Sequence, residues 1–415
     1  MNLSVPSFDD LSARIAAIRD DHAKHFPGPA TGRQPVHTVY VPADRFSRST
    51  PADFGAEALR LLNTHTPGAG SFGTAFGLDP ELAGPVRERV AAKLAREPVE
   101  DVRIDFEDGY GTRPDDEEDA HIAQVVEAVA AAYQVKGLPH YWGLRVKSFA
   151  DGGHERSMRT MDGFLTSLRD RLGRLPGGFT ITFPKVVMAE HVAVFVDYLD
   201  RLESSLGLPA GILRFEIQVE TTEAIVDHEG GIGLRAIIDA AGPRLTAAHF
   251  GVFDYTASLG LPPDQQRLDH PACDFARHVM QVAFAGTGVR LSDGSTNVVP
   301  RNDGPDEVND TWAVHAAHVR HSLRHGFYQG WDLHPAHLPS RYAAVYAYHL
   351  AGVDGVIGRV RAWHEQAAGQ DGGVLEEPAT IRALTDRLQR AVDCGALDES
   401  ALPNVEGRPS TPPGT

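Results

Sequence analysis

Cysteine is scarce in this chain, with two in 415 residues, Cys273 and Cys394. That excludes a disulfide scaffold and any cysteine-cluster metal site. Lysine is scarce too, confined to Lys24, Lys93, Lys136, Lys147 and Lys185, so a Schiff-base mechanism, which needs a lysine amine, has few candidates. Positive charge runs short overall: 39 Lys and Arg stand against 56 Asp and Glu, a formal net charge of −17. This argues against nucleic acid or an anionic membrane as an electrostatic partner. No apolar run approaches the ~20 residues that a membrane helix needs. The opening MNLSVPSFDDLSARIAAIRD lacks the basic start and apolar core of a secretory signal. The expectation is a soluble, cytoplasmic protein. What is present is core-forming material: 42% hydrophobic against 23% charged residues indicates a globular chain with a sizeable interior.

Residues 1–35 read as an amphipathic helix (Leu11, Ile15, Ile18) followed by a Pro/Gly-rich linker, HFPGPATGRQP. Short β-rich runs then alternate with helical stretches. The runs are VHTVYV (36–41), DVRIDFED (101–108), YWGLRVKSF (141–149), GFTITFPKV (178–186), LRFEIQVE (213–220), LTAAHFGVFDY (245–255), a stretch within GVRLSDGSTNVVP (288–300), and GWDLHP (330–335). Helix-like segments between them include 117–133, 191–206 and 308–326. Eight strands alternating with helices predict a (β/α)₈ TIM barrel over 36–350. Residues 351–402 read as a separate C-terminal helical segment with a GQDGG break. The tail 403–415 is too poor in apolar side chains to order itself.

Active sites of such barrels lie at the C-terminal strand ends. The second strand closes on Asp105-Phe106-Glu107-Asp108-Gly109. The third carries Arg145 and Lys147, the fourth Lys185, the fifth Glu220, the sixth Asp254, and the last Asp332 and His334. Glu220 and Asp254 end adjacent strands, where two carboxylates can hold a hard cation such as Mg²⁺, with Mn²⁺ as a variant; alternatively each caps the helix that follows. The DFED acids either serve chemistry, one of them neutralised by a proton or a cation, or mark an acidic helix start. Arg145 suits a substrate carboxylate through its guanidinium fork, or a structural ion pair with DFED, or both.

Two further patterns mislead. Gly68-Ala69-Gly70-Ser71-Phe72-Gly73 matches GxGxxG but follows no strand, so it reads as a flexible loop and not a dinucleotide fingerprint. His315, His318, His321 and His325 share helical spacing, yet no paired acid is evident in the sequence, and the outer helices of barrels carry such faces freely.

The strand-end residues resemble the citrate lyase β-subunit-like group, with its malyl-CoA lyase and HpcH/HpaI aldolase relatives. VYVPADRF (39–46) resembles that group's opening strand, IDFEDGY (104–110) its acidic motif, LRVKSF (144–149) its Arg-Val-Asn strand and FPKVVMAEHV (183–192) its Pro-Lys-Val segment. VETTEAI (219–225) and FGVFDYTASLG (250–260) resemble the two metal-ligand segments, and DLHP (332–335) the terminal strand. The resemblance, over about 36–340, implies a Mg²⁺-dependent carbon–carbon lyase working through an enolate, and an oligomer. Carried over, Glu220 and Asp254 bind Mg²⁺. Arg145, Glu107 and Asp108 are catalytic; Arg145, Lys185, Asp105, Gly251 and His334 contact a small carboxylate-bearing substrate. This chain departs from the pattern at Lys147, in place of the usual Asn, and at Val252-Phe253 before the metal Asp. The C-terminal elements of CoA-using members find no match in 351–415, so CoA stays open. A Schiff-base aldolase using Lys185 or Lys147, and a non-catalytic metabolite-binding barrel, are the competing readings.

Overall fold

The computed structural model describes residues 5–367 and 377–403. Eight parallel strands form one sheet: β1 (His37–Pro42), β2 (Asp101–Asp105), β3 (Tyr141–Arg145), β4 (Phe179–Phe183), β5 (Phe215–Val219), β6 (Leu245–Phe250), β7 (Arg290–Ser292) and β8 (Gly330–Asp332). Their order, β7-β6-β5-β4-β3-β2-β1-β8, is sequential round a cylinder. The remaining seam is closed just beyond β7, where Trp331 N donates to Gly294 O (3.2 Å) and Asp293 N to Gln329 O (2.8 Å). With helices between the strands, this is the (β/α)₈ TIM barrel expected from the alternation.

Period-two alternation explains how the strands serve both layers. On β5, Ile217 and Val219 join the hydrophobic core outside the cylinder, while Glu216, Gln218 and, just past the strand's end, Glu220 form the buried polar series on the other face. On β2, Val102 and Ile104 play the apolar part and Asp101, Arg103 and Asp105 the polar one. The lower interior is therefore a polar plug. Arg103 Nε and Nη2 donate to Glu216 Oε1 and Oε2 (2.9 and 2.8 Å), and Arg103 also pairs with Asp101.

The Gly68–Gly73 segment is not a loop. Gly68 is the N-cap of a helix, Ala69–Phe76, whose Phe72 and Phe76 are buried. Gly73 lets this helix lie against the helix Pro80–Arg96, because a Cβ there would sit 3.1 Å from Ala83 Cβ.

The N-terminal helix covers Val5–His25; Leu11, Ile15 and Ile18 on it are exposed, so its apolar stripe packs against nothing in the described chain. C-terminal helices cover Val353–Ala367 and Pro378–Asp393. Tyr346 Oη, from the helix His337–Leu350, donates to Cys394 O at 2.8 Å just beyond the second of them. The GQDGG break and the tail beyond Pro403 fall outside the described residues. No helix among the described residues is long and apolar enough to cross a membrane.

Candidate active site at the barrel mouth

A cavity of about 620 Å³ opens at the C-terminal ends of the strands. It is lined by Asp105, Asp108, Arg145, Glu220, Gly251 and Asp254 among the anticipated residues. Glu107 and Lys185 do not line it; they border an adjoining cleft of about 490 Å³, and Asp108 lines both, so the anticipated charges are divided between two neighbouring spaces.

β2 stops at Asp105 because that side chain pulls the chain into a turn. Its Oδ1 accepts from Glu107 N and its Oδ2 from Gly109 N, both at 2.9 Å. A Cβ at Gly109 would lie 2.6 Å from Asp105 Oδ2, so the turn needs glycine there. Arg145 Nε and Nη2 fork onto the same carboxylate at 2.7 and 2.6 Å. Asp105 is thereby saturated, and it orients Arg145 where a substrate contact was expected. Arg145 itself keeps only Nη1 for other partners, 3.2 Å from Glu107 Oε2 and 3.7 Å from Asp108 Oδ2.

Lys185 adopts a left-handed backbone (φ 49°) that carries β4 into the site. Its N donates to Glu220 Oε1 (2.8 Å) and its Nζ to Glu107 Oε1 (2.5 Å) and Asp108 Oδ1 (2.9 Å). The same Nζ lies 3.6 Å from Asp254 Oδ2. Burial opposes the charge of this lysine, but Glu220 and Glu107 outweigh it and hold the ammonium above the ordinary lysine range. The acids carry the opposite imbalance. Burial pushes Glu107 up to about 7, with Asp108 adding to the effect against the pull of Arg145 and Lys185. Burial pushes Glu220 up to about 8, reinforced by the charges of Asp254 and Glu107. With Asp105 neutralised by Arg145, four carboxylates share chiefly one ammonium.

The helix-cap readings of the two presumed ligands do not hold. Thr221, not Glu220, caps the turn Thr222–Ile225, its side chain accepting from Ala224 N. Asp254 lies in the first turn of the helix Val252–Ser258 and makes no cap hydrogen bond. Gly251 serves by having no side chain, since a Cβ would meet Glu220 Oε2 at 2.2 Å. All-oxygen donors, one of them a buried carboxyl short of positive charge, fit a hard divalent cation at Glu220 and Asp254.

Three anticipated residues lie away from both spaces or turn from the mouth. Asp332 is buried and bonded by His37 and Arg341. His334 is not among the lining residues; its Nδ1 accepts from Ala336 N (3.1 Å) and its charged neighbours are Glu57 and Asp303. Lys147 turns away from the mouth to donate to Phe106 O (2.6 Å) and Glu118 Oε2 (2.8 Å), so this departure from the family pattern clamps β2 and β3 to the helix Asp115–Gln134. Phe253, the other departure, does line the cavity.

Sequence reasoning missed Arg45, Tyr40 and Trp331 in the lining. Arg45 is exposed and has no hydrogen-bond or ion-pair partner among the described residues. It ends the short turn Ala43–Arg45 that follows β1 in the quoted VYVPADRF, and asking which residues follow the first strand, as for the others, would have found it. The Tyr40 ring lies tilted against Trp331 (centroids 4.7 Å), with the Arg145 guanidinium 4.9 Å from its centroid.

Fold and site together define a (β/α)₈ barrel with an acid-rich cavity at its C-terminal mouth. The chain belongs to the family described as a domain of unknown function, DUF6986, whose model matches residues 15–408. No curated protein matches it. Among solved structures it is similar to a citrate lyase from Burkholderia xenovorans LB400, at 20% identity and TM-score 0.56, over 89% of this chain and 96% of that one. It is also similar to the Haloferax volcanii malate synthase in its lead(II) complex, at 15% identity and TM-score 0.50, over 88% and 94%. At these identities the likeness is one of fold.

Proposed function

We propose that the barrel mouth is the active site of a divalent-cation-dependent carbon–carbon lyase, acting by aldol or Claisen cleavage or condensation on a small 2-oxo or hydroxy acid. The observation that carries this is Glu220, a buried carboxyl pushed up to about 8, facing Asp254 across a shared cavity. Mg²⁺, or Mn²⁺, held by Glu220 and Asp254 would supply Lewis-acid polarisation of a substrate carbonyl.

The chain's own groups supply the rest. Arg45, exposed in the cavity lining and without a partner among the described residues, is the cation best placed to take a substrate carboxylate. Arg145, expected to do so, is committed to Asp105 and offers only Nη1 as a positive edge. Lys185 stays protonated and presents its Nζ to negative charge that develops when a carbon–carbon bond beside a carbonyl breaks. Glu107, at about 7, exists in both protonation states near neutrality and can hold or release a proton at its carboxyl oxygens. Trp331, Phe253 and Leu333 line the apolar side of the cavity and limit water there. Whether the partner carbon comes from a CoA thioester is left to the assay panel.

An ammonium held above the ordinary lysine range is a poor nucleophile, which weighs against an imine on Lys185. Lys147 faces away from the cavity altogether.

The test is turnover across a panel of 2-oxo acids, hydroxy acids and acyl-CoA thioesters with Mg²⁺ or Mn²⁺. Glu220→Gln and Asp254→Asn are each expected to lower kcat/KM by about 10³-fold, about 4 kcal/mol, with the thermal melt retained. Full turnover in excess EDTA, or a borohydride-trapped adduct on Lys185, overturns the proposal.

A further inference from the structure

The histidine row on the helix Pro305–Arg324 and its extension has an acid after all. Asp274, on the helix Pro271–Phe284, lies 2.7 Å from His321 Nε2 and 3.7 Å from His325 Nε2. The two helices flank β7 on the outside of the barrel, and none of the three residues lines the mouth cavity. We propose that Asp274, His321 and His325 form a transition-metal site, with Zn²⁺ as its natural occupant, that clips these helices together.

The three donor atoms lie within 4.8 Å of one another. Bonds of about 2.0–2.1 Å in a tetrahedron put neighbouring ligand atoms about 3.3 Å apart, and the two observed distances bracket that spacing. Nitrogen donors from imidazole with one carboxylate select Zn²⁺ and its neighbours over Mg²⁺ or Ca²⁺.

Hydrogen bonds already orient the set. His325 Nδ1 lies 3.0 Å from His321 O. A carbonyl only accepts, so Nδ1 carries the proton and the lone pair is at Nε2, on the side of Asp274. That is how a ligating histidine is held in its tautomer by a second partner. Gln281 Nε2 donates to His325 O at 2.5 Å and fixes the backbone from the opposite helix. Arg277 Nη1 donates to Asp274 Oδ1 (2.7 Å) while its Nε is anchored on Asp293 Oδ2 (2.9 Å), so the carboxylate cannot swing away. His321 binds by moving its proton from Nε2 to Nδ1, with no net loss. His278 is one helical turn after Asp274, exposed, with its ring 5.7 Å from that of His325, within reach as a fourth ligand.

The other histidine–carboxylate group, His315, Asp332 and His337, is committed within the fold. Both Asp332 oxygens are taken, Oδ1 by Arg341 and Oδ2 by His37, and both His337 nitrogens by Val298 O and Leu333 N. On Asp274, Arg277 and His321 share Oδ1, and Oδ2 has no hydrogen bond among the described residues.

The experiment is calorimetric titration of the untagged full chain with ZnCl₂ in excess Mg²⁺, paired with thermal melts. One Zn²⁺ per chain and a zinc-dependent rise in Tm are expected. His321→Ala, His325→Gln and Asp274→Asn should each weaken binding by more than the roughly 10–100-fold that loss of an orienting partner costs. Asp254→Asn should leave it unchanged. If His321→Ala does not fold, His325→Gln, at a part-exposed ring, decides. No stoichiometric zinc, affinity unchanged in the His325 variant, or zinc lost in Asp254→Asn instead overturns the site.

Discussion

Glu216, on β5, and Glu220, the residue just past its end, stand four residues apart, both buried, both on the polar face, and their environments are opposite. Burial opposes ionisation at Glu216, but Arg103 and His249 outweigh it and hold the carboxyl well below the usual range. Burial also dominates at Glu220, and there Asp254 and Glu107 add to it, so the carboxyl is pushed up to about 8. One acid is matched by partners within the fold and belongs to the structure. The other has Lys185 nearby, but that pull does not outweigh burial and two neighbouring acids, and it opens on a cavity, the pattern expected where a ligand completes the charge. Four residues of chain separate architecture from chemistry.

The same substitution at both positions is the strongest way to break this comparison. Glu216→Gln leaves Arg103 facing a neutral amide in the barrel interior, and an expected loss of about 3 kcal/mol should appear in denaturant unfolding. Glu220→Gln, in chelator, replaces a carboxyl whose charged form is already disfavoured by burial, and the amide oxygen can still accept from Lys185 N; its stability is expected to equal or exceed that of the wild type. Equal losses at the two sites would erase the distinction.

Arg45 sharpens the comparison from the ligand side. Arg45→Gln is expected to raise KM for the acid substrate about tenfold or more, roughly 1.4 kcal/mol of binding, with the unfolding curve unmoved. An unchanged KM would return the carboxylate-binding role to Arg145.

A last effect concerns pH. His349 is buried against Arg387 and Arg390; burial, and then those two charges, push it down to about 4. The folded chain therefore stays neutral at His349 where the unfolded chain takes a proton. Stability from this group is complete above about pH 6.5 and is lost as pH falls toward 4, by at most about 1.4 kcal/mol per pH unit. His349→Leu should flatten the stability slope in that window by about one proton, as measured by urea unfolding at stepped pH. An unaltered slope would show that His349 protonates in place.

Much of the barrel was legible. Alternation such as Glu216-Ile217-Gln218-Val219 declares which side chains face the interior and which face the helices, and the succession of strand and helix along the chain gives the topology. Strand ends were read too long, DFED to 108 and the last strand to 335, because side-chain hydrogen bonds such as those of Asp105 stop the ladder where composition does not. GxGxxG at 68–73 was read as a loop because glycine signals flexibility locally, while burial of Phe72 and Phe76 decides for helix. The acid of the histidine row lay 47 residues from His321, beyond any spacing rule.

By itself, then, the sequence determined the eight-strand order, the inward-facing acids and the shortage of positive charge, since these depend on period, residue type and count. Tertiary structure alone decided that Asp105 is saturated by Arg145, that Lys185 bridges Glu107 and Asp108, that His334 and Lys147 point elsewhere and that Asp274 meets His321. Those facts are distances between segments far apart in the chain, and a charge acquires its role from what stands within a few ångströms of it after folding.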